Sequence, residues 1–421
     1  MDDAEEPFRP LACRGGSSAR GNSHRPFLPR LHVAPMVDKT NRHFRMLMRA
    51  ICPHPNALTL WTEMTWDRAI VYNAPSEPEY HTNESPQPLE SIIGFSEEEH
   101  PVVLQLAGSD PDLLARAAKI GARRGYDEIN LNCGCPAQSK GRSRNNFGAK
   151  LMKDPELVAR CCAAIKAAVD VPVTAKIRLG VDSQDSYGEL CDFVRAVSEI
   201  GGVEHFYVHA RKAILGLDPK KNRSVPPLRH DWVFQLKRDF PWLQFTINGG
   251  IQSLQDSVSL LKNGMDGVMI GRKADSDPYM FASSHRAIAQ VLENVAEAGE
   301  VEDAFNVPPC RKAVLAVYAE YADRACAENV EGISHIRQKK QLLLPLAGLF
   351  QGTAANKLWK ELVNSFVARR APDGEHDSVG VILERWRASL REALGCLVAD
   401  QILDSVPNFE FEDPGPLAGV R

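Results

Sequence analysis

The chain has 421 residues, and its 50 Lys and Arg against 54 Asp and Glu leave a formal net charge of −4. This charge excludes a wholly basic nucleic-acid coat protein, although a local basic surface is compatible with it. Hydrophobic residues make up 44% of the chain, and no apolar stretch reaches the roughly 18 residues that span a bilayer, which excludes a transmembrane protein.

The amino-terminal segment, residues 1–30, begins with several acidic residues and continues rich in Arg, Ser and Gly. A transit peptide is also rich in Arg and Ser, but it is poor in acids. We therefore expect a disordered tail and a cytoplasmic protein, with organellar import through residues 1–30 as the alternative. The 10 cysteines lack the paired spacing of a zinc ribbon, so we expect a reducing compartment and no bound metal.

One unit repeats between Leu31 and about Phe281: a short β-rich apolar run, a turn or polar loop, and an amphipathic segment typical of a helix. The runs begin at Leu31, Leu58, Val102, Glu128, Val173, Phe206, Phe245 and Val268. Eight alternating units over about 250 residues predict an α/β fold in which residues 31–297 form a (β/α)8 TIM barrel.

Two of the intervening helices carry clear start signals. Asp110-Pro111 and Asp154-Pro155 each place an N-cap residue before Pro at the first helical position, which predicts helices over 111–124 and 155–169. Two insertions interrupt the repeat. Residues 74–100, rich in Pro and acids, predict an exposed loop, and residues 212–230 predict a basic loop after the sixth strand.

The carboxyl-terminal part contains helical patterns without strand candidates. After a polar linker at 298–309, helices are predicted over 310–329, 332–350, 353–370 and 376–397, and Pro345 should kink the second of them. Four helices with short connections predict an all-α helical bundle as a second domain over 310–400, followed by a tail at 401–421.

Active groups of a TIM barrel lie at the carboxyl ends of its strands, and loops after the seventh and eighth strands commonly bind phosphate. Here these loops contain Asn248-Gly249-Gly250 and Gly271-Arg272. Glycines let backbone N–H groups approach an anion closely, and the guanidinium adds a charge. The pair therefore points to a phosphorylated cofactor, with plain turns as the alternative.

Three further strand-end groups have two interpretations each. Lys176 either forms an ion pair with a carboxylate such as Glu63, or sets a cation against the negative charge of a reduced flavin near N1. His209 either holds a phosphate or is merely hydrogen-bonded. Gln105 either bonds the polar edge of a ring or satisfies the barrel's own backbone.

Cys135 lies between Gly134 and Pro136, on what should be a rigid turn after the fourth strand. A thiol fixed there can act as a nucleophile or a proton donor. The alternatives are an inert buried thiol and a metal site shared with Cys133, for which a single C-x-C pair is weak support.

Seven segments resemble the tRNA-dihydrouridine synthases. They are VAPMVD at 33–38, NLNCGCP at 130–136, FGAKLM at 147–152, AKIR at 175–178, HARK at 209–212, INGG at 247–250 and GVMIGR at 267–272. Five further segments resemble the A subfamily: HARKA at 209–213, NR at 222–223, PPL at 226–228, QLKRDFP at 235–241 and GLFQG at 348–352. The resemblance spans about residues 31–370.

This resemblance implies an FMN-binding barrel with a helical carboxyl-terminal domain that uses NADPH to reduce a uridine C5=C6 bond in the tRNA D-loop, usually at positions 20 and 20a. Cys135 would protonate C5 after hydride delivery to C6, and Asn132 would help to hold the uracil. The implied FMN ligands are Pro35, Met36, Val37, Gln105, Lys176, His209, Asn248, Gly249, Gly250, Gly271 and Arg272.

Binding of tRNA requires cations that grip the phosphate backbone. One group follows Cys135, comprising Lys140, Arg142, Arg144 and Lys150, and a second lies in residues 212–238. A third lies on the predicted bundle, comprising Arg337, Lys339, Lys340, Lys357, Lys360, Arg369 and Arg370. Besides Asn132, the expected substrate-binding residues are Arg178, Arg211, Asn222, Arg223, Arg337 and Lys340.

Two other functions compete with this hypothesis. The first is a flavin-dependent barrel that reduces a free small molecule, such as a dihydropyrimidine or an enone. It would leave the helical domain and the basic loops without a role. The second is a non-catalytic RNA-binding barrel, against which Cys135, Lys176 and His209 argue.

Overall fold

The computed structural model describes residues 30–74, 88–137, 147–292, 308–327, 335–368 and 377–407. Some of the predicted features fall outside these ranges. They are the tail at 1–29, residues 75–87 of the predicted exposed loop, most of the linker, residues 408–421 of the predicted carboxyl-terminal tail, the bases Lys140, Arg142, Arg144, Arg369 and Arg370, and the side chain of Arg337.

Eight parallel strands close into a barrel in which β8 pairs with β1. The strands are β1 (Arg30–Val33), β2 (Leu58–Trp66), β3 (Val102–Ala107), β4 (Glu128–Cys133), β5 (Val173–Arg178), β6 (His205–His209), β7 (Gln244–Asn248) and β8 (Gly267–Ile270). Each coincides with a predicted run, so the TIM barrel is confirmed.

Helices follow the strands and surround the barrel. They are α1 (Arg42–Ile51), α2 (Asp67–Asn73), α3 (Leu89–Ile93), α4 (Pro111–Arg123), α5 (Pro155–Ala168), α6 (Tyr187–Glu199), α7 (His230–Asp239), α8 (Leu254–Lys262), α9 (Arg272–Ser276) and α10 (Ser284–Leu292). Asp110 caps α4 by accepting from the backbone N–H of Asp112 and Leu113, and Asp154 caps α5 through Leu157. Both predicted helix starts are confirmed.

The barrel interior has an aromatic and apolar part and a polar part. Trp61, Val103, Tyr207 and Met269 form a buried cluster inside the barrel. Polar side chains on β3, β4, β5 and β7 are also buried, and they must therefore find hydrogen-bond partners inside the protein. Because side chains alternate along a strand, residues 128, 130 and 132 of β4 share the inward face.

The segment at 88–100 differs from the predicted exposed loop. It forms α3 and a 3-10 turn at Glu97–Glu99, and the Glu99 side chain is fully buried. Its carboxylate accepts from Arg45 Nε at 2.5 Å, while the same guanidinium donates to the carbonyls of Thr40 and Gly94. Glu99 stands in a run of acidic residues, Glu97–Glu99, and nothing in that run indicated that a buried arginine of α1 would bind its carboxylate.

The carboxyl-terminal region is helical, as predicted. It contains α11 (Arg311–Ala327), α12 (His335–Leu343), α13 (Asn356–Ala368), α14 (Val379–Leu394) and α15 (Cys396–Asp404). Pro345 lies in a 3-10 turn that follows the end of α12. Gly395, at φ +81°, ends α14 two residues before the predicted helix end at 397, and α15 then extends to Asp404, into the predicted tail. None of the described helices is long and apolar enough to cross a membrane.

This helical region is anchored to the barrel by a hydrogen-bonded aromatic contact. The Tyr279 hydroxyl lies within hydrogen-bond distance of the carbonyl oxygens of Pro309 and Ser405, at 2.9 and 3.0 Å. The Arg311 guanidinium lies 3.8 Å from the centre of the Tyr279 ring and also donates to the Leu349 carbonyl. The polar side chains of Tyr279 and Arg311 at this junction therefore have hydrogen-bond partners as well as being buried.

Candidate active site

The turn that carries Cys135 is held by one amide side chain. Asn132 Oδ1 accepts from the backbone N–H of Gly134 at 3.1 Å and of Cys135 at 2.9 Å. The Cys135 carbonyl accepts from Ala149 N–H at 2.8 Å. Gly148 lies at φ +62°, and a Cβ there would come 2.3 Å from that carbonyl oxygen. The backbone of this turn is thus fixed at the barrel mouth, with Cys135 half-buried there.

Cys133 lies in a different environment from Cys135. It is fully buried, and burial raises its pKa well above the usual range, with a smaller effect from the neighbouring Cys162 and Cys161 of α5. Cys133 and Cys135 are therefore separated by the strand, with one thiol in the helix layer and one at the mouth. Within the described residues, no group of three or more His, Cys, Asp or Glu side chains could hold a metal ion.

Lys176 is buried beside Asn248 rather than beside a carboxylate. Its Nζ donates to Asn248 Oδ1 at 3.2 Å, and Asn248 Nδ2 donates to the Met269 carbonyl at 2.7 Å. Glu63, the partner of the alternative interpretation, accepts from Asp38 N–H instead. Burial, with Arg178 adding to it, lowers the pKa of Lys176 to about 7.

His209 is surrounded by positive charge. Burial lowers its pKa well below the usual value, and Arg178, Lys176, Arg211 and Arg272 each lower it further. The Nε atoms of Arg211 and Arg223 are buried without a hydrogen-bond partner among the described residues. Clustered cations with unused donors are stabilised by an anion, so this corner of the mouth suits a phosphate.

The loops after β7 and β8 are built on glycines. Gly249 and Gly250 lie at φ +109° and +76°, and a Cβ on Gly249 would come 2.7 Å from the His209 ring. Gly271 immediately precedes α9, and the exposed Arg272 lies next to it. Glycine is thus required at both positions of the β7 loop, by backbone conformation and by the proximity of a ring.

The loop after β1 lies beside the β8 turn, because β1 pairs with β8 in the closed barrel. Pro35 and Met36 are half-buried, and the Val37 side chain is 56% exposed. Met36 N–H donates to the Thr40 hydroxyl at 3.0 Å, which fixes the loop before α1. Of these three, Met36 lies near the β8 loop, because a Cβ on Gly271 would come 3.9 Å from its sulfur.

Arg178 and Asn222 are buried and organise loops. Arg178 Nε donates to the Gly134 carbonyl at 3.0 Å, and Nη1 donates to the carbonyls of Lys212 and Asn222 at 3.3 and 3.1 Å. The Asn222 side chain bonds the backbone of Ile214 and Leu217. These bonds join the Cys135 turn to the basic loop, which differs from the expected direct contact with substrate.

The basic groups differ in exposure. Lys150, Lys220 and Lys221 are exposed. Lys339 is only 6% exposed and donates to the Asp377 carbonyl at 2.6 Å, so its inclusion in an exposed basic face of the helical region is wrong. Lys340 is half-buried and Lys357 is exposed.

The sequence interpretation missed three polar residues below this mouth, of which Asn130 and Thr174 are buried and Glu128 is half-buried. Glu128 and Asn130 of β4 and Thr174 of β5 are hydrogen-bonded to one another and to Gln105. The available signal was polar residues at alternate positions of β4, a strand that a parallel barrel buries on both faces.

A closed parallel barrel with a cationic corner, glycine turns and a cysteine turn at its mouth is the architecture of a TIM-barrel enzyme. The family profile described as "Dihydrouridine synthase (Dus)" matches residues 32–380. The chain belongs to the dihydrouridine synthase family.

Two similar relatives carry the name tRNA-dihydrouridine(20/20a) synthase. The protein of that name from Vibrio parahaemolyticus is 49% identical over 60% of this chain and 72% of its own length. The Escherichia coli K12 relative is 41% identical over 82% of this chain and 88% of its own length. Among solved structures, a 2-naphthoyl-CoA reductase complex covers 63% of this chain and 50% of its own, with 10% identity and a TM-score of 0.44.

Proposed function

We propose that this protein reduces the C5=C6 bond of a D-loop uridine in tRNA, at position 20 or 20a, with FMN as its bound cofactor and NADPH as the reductant. Family membership and the name shared by the relatives support the reaction and the positions. The observation that carries the proposal for this chain is the cation cluster around His209 beside the fixed Cys135 turn.

The residues at the mouth fit FMN. A phosphate would compensate the charges of Arg211 and Arg272 and would offer acceptors to the buried Nε atoms of Arg211 and Arg223. The β7 and β8 glycine turns give backbone N–H groups access to the phosphate, as expected for this fold. Lys176, lacking a carboxylate partner in the described residues, would meet the anionic edge of the ring, and Pro35, Met36, Gln105 and Asn248 would line it.

Cys135 would act as the acid. Bound FMN, once reduced by NADPH, would supply the hydride that adds to C6 of the uracil. The Cys135 thiol holds the proton that C5 needs, and the two Asn132 bonds keep the thiol at a constant position during the transfer. Arg178 connects this turn to the basic loop by donating to the carbonyls of Gly134 and Asn222.

The uridine has to leave the stack of the D-loop to reach the mouth, and its release costs a few kcal/mol. Backbone contacts elsewhere must offset this cost. The exposed Lys220 and Lys221 lie on the loop after β6, at the carboxyl-terminal edge of the strands, where a tRNA backbone could be gripped. Lys357 offers a further cation on α13.

The proposal is tested by NADPH oxidation with the purified flavin-containing protein. We expect rapid oxidation with a tRNA transcript that lacks dihydrouridine and slow oxidation with the same tRNA after full modification. Free uracil and a simple enone serve as the comparison substrates. Equal rates with uracil, together with no response to tRNA, would replace the proposal by the small-molecule reductase. A colourless protein without flavin absorbance would also reject it.

A further inference from the structure

Hydrogen bonds between buried side chains run continuously from the amino-terminal end of the barrel to the Cys135 turn. Asn132 Nδ2 donates to Gln105 Oε1 at 2.8 Å, and Gln105 Nε2 donates to Asn130 Oδ1 at 2.9 Å. Asn130 Nδ2 then donates to the Thr174 hydroxyl at 2.8 Å, which donates to Glu128 Oε1 at 2.5 Å. We call Asn132, Gln105, Asn130 and Thr174 the amide ladder.

The hydrogen bonds of the ladder all donate in the same direction along it. At its upper end, the backbone N–H groups of Gly134 and Cys135 can only donate, so Asn132 must present its oxygen to them. At its lower end the carboxylate of Glu128 accepts from Thr174 and also from the Tyr207 hydroxyl at 3.1 Å. Every bond between these ends donates downward, toward the carboxylate.

Each side chain therefore fixes the orientation of the next one. Because the Thr174 proton goes to Glu128, the Thr174 oxygen is left to accept from the Asn130 nitrogen. The Asn130 oxygen then faces Gln105, and the Gln105 oxygen faces Asn132. A reversed ladder would place the Asn132 nitrogen against two backbone donors, and buried donors without acceptors are costly.

We propose that Glu128 and Thr174 are positioning residues for the reaction: through Asn130 and Gln105 they fix the orientation of the Asn132 amide and hence the turn that carries Cys135. The importance of this turn for catalysis rests on the proposed function, whereas the coupling along the ladder does not. Neither Glu128 nor Thr174 belongs to the mouth, since both lie at the start of their strands.

The ladder also affects what a ring in the mouth would meet. Each amide nitrogen has two hydrogens, and the ladder uses one on Gln105 and one on Asn132. With this polarity both residues keep a second N–H, a donor that suits the carbonyl oxygens of a flavin or a uracil. Because the ladder fixes the orientation of the Gln105 and Asn132 amides, it also determines which N–H donors these two residues present to a ring in the barrel mouth.

The test compares Thr174→Val with Thr174→Ser. Valine keeps the shape and removes the hydroxyl, while serine retains the hydroxyl and removes a methyl group. The readouts are hydrogen exchange of the Gly134 and Cys135 amides and the rate at which iodoacetamide alkylates Cys135, both measured on peptides by mass spectrometry. We expect Thr174→Val to accelerate both by about tenfold and Thr174→Ser to stay within about twofold of the unmodified protein.

Exchange in β7 serves as the internal control, because a general loss of stability would accelerate it too. Acceleration confined to residues 134 and 135 supports the ladder. Unchanged exchange in Thr174→Val, equal acceleration in Thr174→Ser, or acceleration spread over β7 would overturn it. If Thr174→Val fails to fold, Glu128→Gln carries the same test, since it replaces a group that only accepts by one that also donates.

Turnover provides a readout that a merely structural role would leave unchanged. Thr174→Val should lower kcat for tRNA by about tenfold and leave its KM unchanged, because the RNA backbone does not reach the buried Thr174. A changed KM with constant kcat would contradict a role in positioning Cys135. Failure of the proposed function would instead appear as absent tRNA reduction in the unmodified protein, while the exchange result would stand.

Discussion

The Lys176 ammonium group and the Asn248 side-chain oxygen lie 3.2 Å apart inside the barrel mouth, where the lysine is bonded by a neutral partner. A buried charge without an opposite charge is unfavourable, and burial and Arg178 lower the pKa of Lys176 to about 7 for this reason. The buried Lys176 ammonium therefore lowers the stability of the ligand-free protein, and an anionic ring placed beside it would offset this loss.

Lys176→Met should stabilise the ligand-free protein near neutral pH. The folded pKa of about 7 lies below the ordinary lysine value of 10.5, so the unfolded chain binds the additional proton between these values. The penalty is complete below about pH 7 and disappears as pH rises toward about 10. We expect a gain of about 2–4 kcal/mol at about pH 6 that shrinks by about pH 10, measured by denaturant unfolding. A gain independent of pH would contradict this origin.

His205→Gln should make the barrel less sensitive to acid. Burial lowers the pKa of His205 to about 3, and its ring bonds the Thr246 hydroxyl at 2.8 Å. Below about pH 6.5 the unfolded chain takes up a proton that the folded state refuses, so stability falls with falling pH. Between about pH 6.5 and 5 the original protein should lose about 2 kcal/mol more than the variant. Equal losses in urea titrations would rule out this histidine as a source of acid sensitivity.

Cys135→Ala should retain bound flavin and tRNA affinity while turnover falls by about 10²–10⁴-fold, since only the proton donor is removed. Single-turnover formation of dihydrouridine measures the effect, and the flavin absorbance spectrum and a tRNA titration are the controls. Cys133→Ala is the matched variant, because this second thiol is buried in the helix layer. Unaltered turnover in Cys135→Ala would remove the thiol from the mechanism.

Arg178→Lys should lower turnover by about tenfold without changing the salt dependence of tRNA binding. Lysine cannot reproduce the planar fork that joins the carbonyls of Gly134, Lys212 and Asn222. Loop order would decrease, while the cations that grip the RNA phosphates would all remain. Binding measured over a range of salt concentrations distinguishes the two roles. A slope reduced by about one, with turnover intact, would mean that Arg178 grips the RNA.

Replacing the exposed Lys220 and Lys221 by Ala should weaken tRNA binding and reduce its salt slope by about one for each phosphate that these lysines neutralise. The flavin spectrum should not change. Lys119→Ala on α4 is the matched control, an exposed lysine on a helix that packs outside the barrel. If the control and the double variant bind tRNA alike, the loop after β6 is not part of the grip.

Local signals were sufficient to predict the barrel. The eight runs of β-branched and apolar residues and the Asp-Pro helix starts are encoded within a few residues, and the structure has them at those places. The long-range partners were not predictable in this way. Glu99 pairs with Arg45 from a different segment, and Lys339 is buried and donates to the Asp377 carbonyl. Packing between elements that are distant in the sequence determines both contacts.

The residues of the candidate site also divide into those that local sequence signals predict and those whose partners depend on the fold. Gly249, Gly250 and Cys135 follow from strand ends and turn chemistry, which a sequence displays. The roles of Arg178 and Asn222 as loop organisers depend on which carbonyls come within reach after folding. The direction of the amide ladder depends on a carboxylate two strand positions below Asn130, and no single motif contains it.

The most direct test of the account is nuclease digestion and mass spectrometry of a tRNA transcript after incubation with the holoenzyme and NADPH. The account predicts that one D-loop fragment, containing position 20 or 20a, gains two hydrogen atoms, and that Cys135→Ala leaves the same fragment unreduced. A transcript that stays unreduced while NADPH is consumed with free uracil or an enone would contradict it.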